Sequence, residues 1–79
     1  MGNQEKLIAA YTEALGIESE QVTDELAYQE ISEWDSMAHM VLINELEMTF
    51  DVNLDTDEVI DLSSVGKSKE ILSKHGVEF

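Results

Sequence analysis

Seventy-nine residues make one domain whose core lies near the lower limit for folding without staples. There is no cysteine, which excludes disulfides and thiolate zinc sites. Eighteen acids against four lysines leave a net charge of −14, a surface that repels nucleic acid and anionic membranes and attracts proteins with basic patches.

Acid-rich chains are often disordered, but 43% apolar residues at helical spacing argue for a folded one. The opening stretch, MGNQEKLIAA, has no basic region followed by a greasy one, so no signal peptide is expected. Lys6 stands where a myristoylation motif after Gly2 wants Ser or Thr. No apolar run approaches a membrane span, so membrane insertion is not expected, and the lack of cysteine suits the cytoplasm.

The first predicted helix runs from about Asn3 to Leu15, with Leu7, Ile8, Tyr11, Ala14 and Leu15 as its apolar stripe and Gly16 as the left-handed residue that ends it. From Ile17 to Asp35 the chain reads as a long polar loop, pinned by Val22, Leu26, Ile31 and Trp34. A loop of that length holds a short turn or serves a function. A second helix spans about Ser36 to Phe50, followed by a turn region at Asp51, Asn53 and Asp55. Thr56 is placed to cap a short third helix through Asp61, with Asp57 and Glu58 in its favourable first turn. Ser63 or Ser64 caps a fourth helix from Val65 to about His75, which Gly76 ends. The expected fold is all-α: a four-helix bundle with a short third helix and a long loop between helices 1 and 2.

The second helix carries two apolar stripes. His39, Leu42, Ile43, Leu46 and Phe50 follow steps of three and four and form the core face. Met37, Met40, Val41, Asn44 and Met48 form another run. Methionine is soft and adapts to varied surfaces. This second stripe either packs under the long loop, against Ile31 or Trp34, or is an exposed docking surface.

Ser36 stands at the entrance of this helix, where serine is a preferred N-cap. A phosphate ester there would also meet free backbone N–H groups and the positive end of the dipole. Nucleophilic hydrolysis has no support: no G-x-S-x-G elbow surrounds Ser36, and His39 has no third residue to orient it.

The stretch WDSMAHMVLINELEMTFDVNL resembles the modification helix of acyl carrier proteins, whose usual motif reads Asp-Ser-Leu. The resemblance covers nearly the whole chain. It takes in the N-terminal amphipathic helix, the long loop, the Asp-Ser helix ending in Glu-x-x-Phe at Glu47 to Phe50, the short acidic third helix and the Val-led last one. It implies that Ser36 carries 4′-phosphopantetheine from coenzyme A, attached by a separate phosphopantetheinyl transferase that Asp35 helps to recognise the serine. The chain itself would not be catalytic. Its thiol-tipped arm would hold an acyl or aminoacyl group as a thioester for loading and processing enzymes.

Fatty-acid carriers usually show acids along the outer face of this helix. Here Ala38, Val41 and Met48 take commonly acidic positions, while Glu45 and Glu47 remain. This points away from ordinary fatty-acid synthase partners and toward specialised carriers of polyketide, peptide-synthesis and cell-surface polymer pathways, which Trp34-Asp35-Ser36 resembles. The expected docking face is Met37, Met40, Val41, Asn44, Glu45, Glu47 and Met48. A monomer is expected, because a carrier must release each enzyme in turn. His39 reads as a half-buried helical histidine without a role, with the phosphate or a cargo cavity as its other reading. Trp34 reads as a loop anchor.

Two rivals stand beside the carrier reading. DVNLDTDEVIDL alternates acids like an EF-hand loop, but Thr56 stands where glycine is required and Leu62 where the bidentate glutamate belongs. No metal site is therefore assigned. The other rival is an unmodified acidic adaptor, which would keep the same fold.

Overall fold

The computed structural model describes residues 2–79. Over these residues α1 covers Asn3–Leu15, α2 Ser36–Phe50, α3 Thr56–Asp61 and α4 Val65–Lys74. A 3-10 turn at Ser19–Gln21 lies in the long connection between α1 and α2. The expected four-helix bundle, short third helix included, is what forms.

Apolar spacing decides which faces turn inward. α1 buries Leu7, Ala10, Tyr11 and Leu15, with Ile8 and Ala14 packed beside them. α2 buries Leu42, Ile43 and Leu46, and α4 buries Val65, Ile71 and Leu72. Gly16 closes α1 at φ 66°, a left-handed conformation open to glycine at no steric cost. Phe50 meets Phe79 edge-on at 6.0 Å, and Asn3 Nδ2 donates to the Glu78 carbonyl at 2.9 Å, which brings the two ends of the described chain together.

The long connection is held in two ways. Val22, Leu26 and Trp34 are buried and Ile31 is half-buried, so the four expected anchors do pin it. Its backbone is also stitched to the start of α4. Tyr28 N–H donates to the Ser63 carbonyl at 2.9 Å, Val65 N–H to Leu26 at 3.0 Å and Gly66 N–H to Asp24 at 3.0 Å. An isolated antiparallel bridge joins Ala27 and Ser64 in the same seam. Gly66 permits this approach, since a Cβ there would stand 3.2 Å from the Asp24 carbonyl oxygen. Lys69 Nζ adds an ion pair to Asp24 at 2.8 Å. The loop tolerates its length because these backbone polar groups have partners.

Two caps differ from expectation, and both go to aspartate. Asp55, not Thr56, caps α3: its carboxylate accepts from Glu58 N–H at 2.8 Å, and Glu58 Oε1 accepts from Asp55 N–H at 3.2 Å. Asp35, not Ser36, caps α2. In each pair the aspartate has the extended backbone of a cap and the following hydroxyl residue is already the first helical one. Ser64 caps α4, accepting from Lys67 N–H at 3.0 Å.

Candidate functional site

The start of α2 brings Asp35 and Ser36 together with different tasks. Asp35 has extended backbone, and its Oδ1 accepts from Ala38 N–H at 2.9 Å. Its carbonyl accepts from His39 N–H at 2.8 Å. Two of the early α2 donors are thereby satisfied, while the N–H groups of Ser36 and Met37 precede any intrahelical acceptor. Ser36 is exposed, and among the described residues no side-chain hydrogen bond engages its hydroxyl. The cap leaves this oxygen free, and an anion on it would meet the positive end of the helix dipole.

Behind this entrance is a network that the sequence does not reveal. Trp34, the residue before the cap, is fully buried and packs edge-on against Tyr11 at 5.5 Å and Tyr28 at 6.2 Å. Its Nε1–H donates to His39 Nδ1 at 3.0 Å. An indole nitrogen only donates, so Nδ1 must accept and the neutral ring carries its proton on Nε2. Nε2–H then donates to the Val59 carbonyl in α3 at 2.9 Å. His39 is thus a tie between the loop, α2 and α3, rather than a residue without a role.

The tie borders a cavity of about 260 Å³ lined by Tyr28, His39, Val59, Ile60, Leu62 and Ser63. His39 stands one turn after Ser36, so the cavity lies beside the helix that presents the serine. Spacing could not have found this group, because Tyr28, Val59 and Ser63 reach it only through the fold.

The second stripe is exposed: Met37 is 80% accessible, Met40 60%, Val41 50% and Met48 64%. Asn44 is exposed among them, and Ile60 of α3 is 75% accessible. The long loop does not cover this stripe. It turns to α4 instead, and Trp34 goes into the core.

The acids expected on the same face are placed differently. Glu45 is half-buried and lines a groove against α1 with Lys6, Ala9 and Glu13. Glu47 is half-buried, and its Oε2 accepts from Leu54 N–H at 2.9 Å, which braces the turn after α2. Ala38 is half-buried against the core, so an acid there would face apolar neighbours. Asp51 and Asp55 end α2 and begin α3 as caps, and among the described residues no group of three or more His, Asp or Glu side chains is arranged to hold a metal ion.

A family model described as the phosphopantetheine attachment site matches residues 5–70, a span that touches all four helices. The chain belongs to this family, that of the acyl carrier proteins. The comparisons with curated proteins and with solved structures gave no significant match. As an acyl carrier protein the chain is an attachment domain for 4′-phosphopantetheine. Carrier domains of this kind are in general non-catalytic, are modified by a phosphopantetheinyl transferase and work with biosynthetic enzymes. The entrance of α2 fits such a group, because it offers an exposed hydroxyl beside uncapped N–H groups. Among the described residues no helix is long and apolar enough to cross a membrane.

Proposed function

We propose that Ser36 bears the phosphopantetheine arm and that the protein delivers acyl or aminoacyl groups to biosynthetic enzymes. The observation that carries this reading is the division of labour at α2: Asp35 caps the helix and the exposed Ser36 hydroxyl is spared. When bound, the arm supplies a terminal thiol that holds cargo as a thioester. The chain's own part is to present one oxygen at a rigid helix start and to seat a phosphodiester near unpaired amides. Asp35, fixed by its bond to Ala38 N–H, offers the transferase a carboxylate next to the serine.

The exposed arc of Met37, Met40, Val41, Asn44 and Met48 is the face we assign to partner enzymes. It favours apolar grooves with basic rims, since the whole chain carries −14. Glu45 and Glu47 flank that arc and contribute at its edges. Tethering raises the concentration of cargo at each enzyme without tight binding, which fits a monomer that visits partners in turn.

The test is direct. The unmodified protein is incubated with coenzyme A, magnesium and a broad-specificity phosphopantetheinyl transferase, and intact mass is measured. One pantetheine increment is expected for the wild type and none for Ser36→Ala. An increment that persists in Ser36→Ala would move the attachment point. A wild type left unmodified by several transferases would favour an unmodified adaptor that uses the methionine face alone.

A further inference from the structure

We infer that His39 is a pH-sensitive latch that holds α3 against α2 and the long loop, and that its protonation releases the Val59 carbonyl. The inference does not depend on what Ser36 carries. It starts from hydrogen-bonding capacity. Trp34 Nε1–H and the Val59 carbonyl are one donor and one acceptor, placed 3.0 Å and 2.9 Å from opposite nitrogens of the ring. Only the neutral Nε2–H tautomer satisfies both. The indole and imidazole planes lie within 22° of parallel, with centroids 6.1 Å apart.

An imidazolium has donors on both nitrogens and cannot accept from Trp34. One of the two rings must then move. Trp34 is fully buried, with Tyr11 and Tyr28 against its edges, so it has nowhere to go. His39 is half-buried on a helix flank and can swing toward water. Doing so gives up the Val59 carbonyl, and with it the side-chain hydrogen bond from α2 to α3.

No free carboxylate faces the ring to hold it in place once it is charged. From the loop, the Tyr28 ring lies 5.0 Å away, and its phenol is the titratable group on that side. On α2 itself the Asp35 carboxylate is turned to Ala38 N–H. On α3 the Glu58 carboxylate is taken by His75 Nε2 at 2.9 Å. From the α3–α4 turn, Ser63 faces the cavity and carries no charge. Among the described residues the ion pairs are Lys67–Asp61, Lys69–Asp24 and His75–Glu58, and none includes His39.

Imidazole is the side chain whose ordinary titration falls between pH 5 and 8. The sign follows from the bonds: the latch is closed when His39 is neutral and opens as pH falls. The His75–Glu58 pair is a second tie on α3, joining it to the end of α4, and it does not involve His39. Opening the latch therefore frees α3 at Val59, beside the cavity, while the tie at Glu58 stays separate.

The chain has one tryptophan, so its indole N–H is a unique NMR reporter. The unmodified protein is titrated from pH 8 to pH 5 while the His39 ring nitrogens, the Trp34 indole N–H and the Val59 carbonyl carbon are followed. At pH 8 the Nε2–H tautomer is expected. As His39 protonates, the indole N–H should move upfield and lose solvent protection by about tenfold or more. The Val59 carbonyl should shift with the same midpoint. His75→Gln should keep this coupled transition and His39→Gln should lose it. An Nδ1–H tautomer in the wild type at pH 8 overturns the proposal without any variant. So do indole and carbonyl signals that stay still while His39 titrates, or the same acid response in His39→Gln.

Discussion

At the contact between α1 and α4, the Tyr11 hydroxyl is buried and donates to Ser68 Oγ at 3.0 Å, and Ser68 donates onward to the Val65 carbonyl at 2.6 Å. The order of donors sets the outcome of cutting the chain at either end. Ser68→Ala leaves a buried phenol without a partner and should cost about 1–3 kcal/mol. Tyr11→Phe leaves Ser68 still bonded to Val65 and should cost about 1 kcal/mol or less. Urea unfolding of both variants measures the difference, and equal losses would contradict the assigned direction. Burial also pushes the Tyr11 phenol well above its ordinary range, with the Ser68 hydrogen bond pulling weakly the other way. The folded chain thus keeps this proton where the unfolded chain releases it. Its contribution is complete below about pH 10 and is lost as pH climbs toward the folded-state value. Tyr11→Phe should flatten that part of the alkaline decline. None of this is visible in the sequence, where Tyr11 reads as one more member of an apolar stripe. Asp35 and Ser36 were legible as a pair because their chemistry is local. The bonds of His39 were not, since they depend on where Val59 arrives twenty residues later.

Among the elements, α2 shows what periodicity can and cannot settle. Its limits, Ser36 and Phe50, follow from the spacing of its core face, and the second run with its methionines follows from the same count. Whether the loop covers that run is settled only by the fold, which leaves it exposed. Which residue caps the helix does not follow from the spacing either, because aspartate and serine are both good caps and only the backbone at the junction chooses between them. The far end carries a cost. Asp51 closes α2 in the left-handed region at φ 53°, which is rarely used by a non-glycine residue, and puts a carboxylate at the negative end of the dipole. Asp51→Gly removes both penalties and gives back part of the gain as chain entropy in the unfolded state. A net stabilisation of about 1 kcal/mol is expected. Asp51→Asn removes only the charge and should gain about 0.3–1 kcal/mol. Thermal melts of the two variants separate backbone relief from electrostatics. A destabilised Asp51→Gly would mean that the aspartate side chain itself holds the turn, as Glu47 does through Leu54 N–H.

For the molecule as a whole, charge was the first thing legible and still governs the last prediction. The sequence places 18 acids and four basic residues on a body of about 30 × 28 × 20 Å. Among the described residues the lysines find only two carboxylates, Lys67 with Asp61 and Lys69 with Asp24, both on the surface and weakly stabilising. The rest of the charge repels itself, and folding brings it closer together. At about 0.01 M salt the screening length is roughly 30 Å, so every acid feels every other across the fold. At about 0.15 M it is roughly 8 Å, and only neighbours interact. The melting temperature should therefore climb steeply between these two concentrations and flatten above them, by about 4–8 °C for each kcal/mol of repulsion relieved. Magnesium and calcium should act alike and at lower concentration than sodium, because screening depends on valence and not on a shaped site. A melting temperature indifferent to sodium chloride would mean that the unfolded chain is as strained by its charge as the folded one. A calcium response that saturates tightly, with no counterpart for magnesium, would instead restore a specific site to the Asp51–Leu62 segment, and with it the rival that the missing glycine and glutamate argued against.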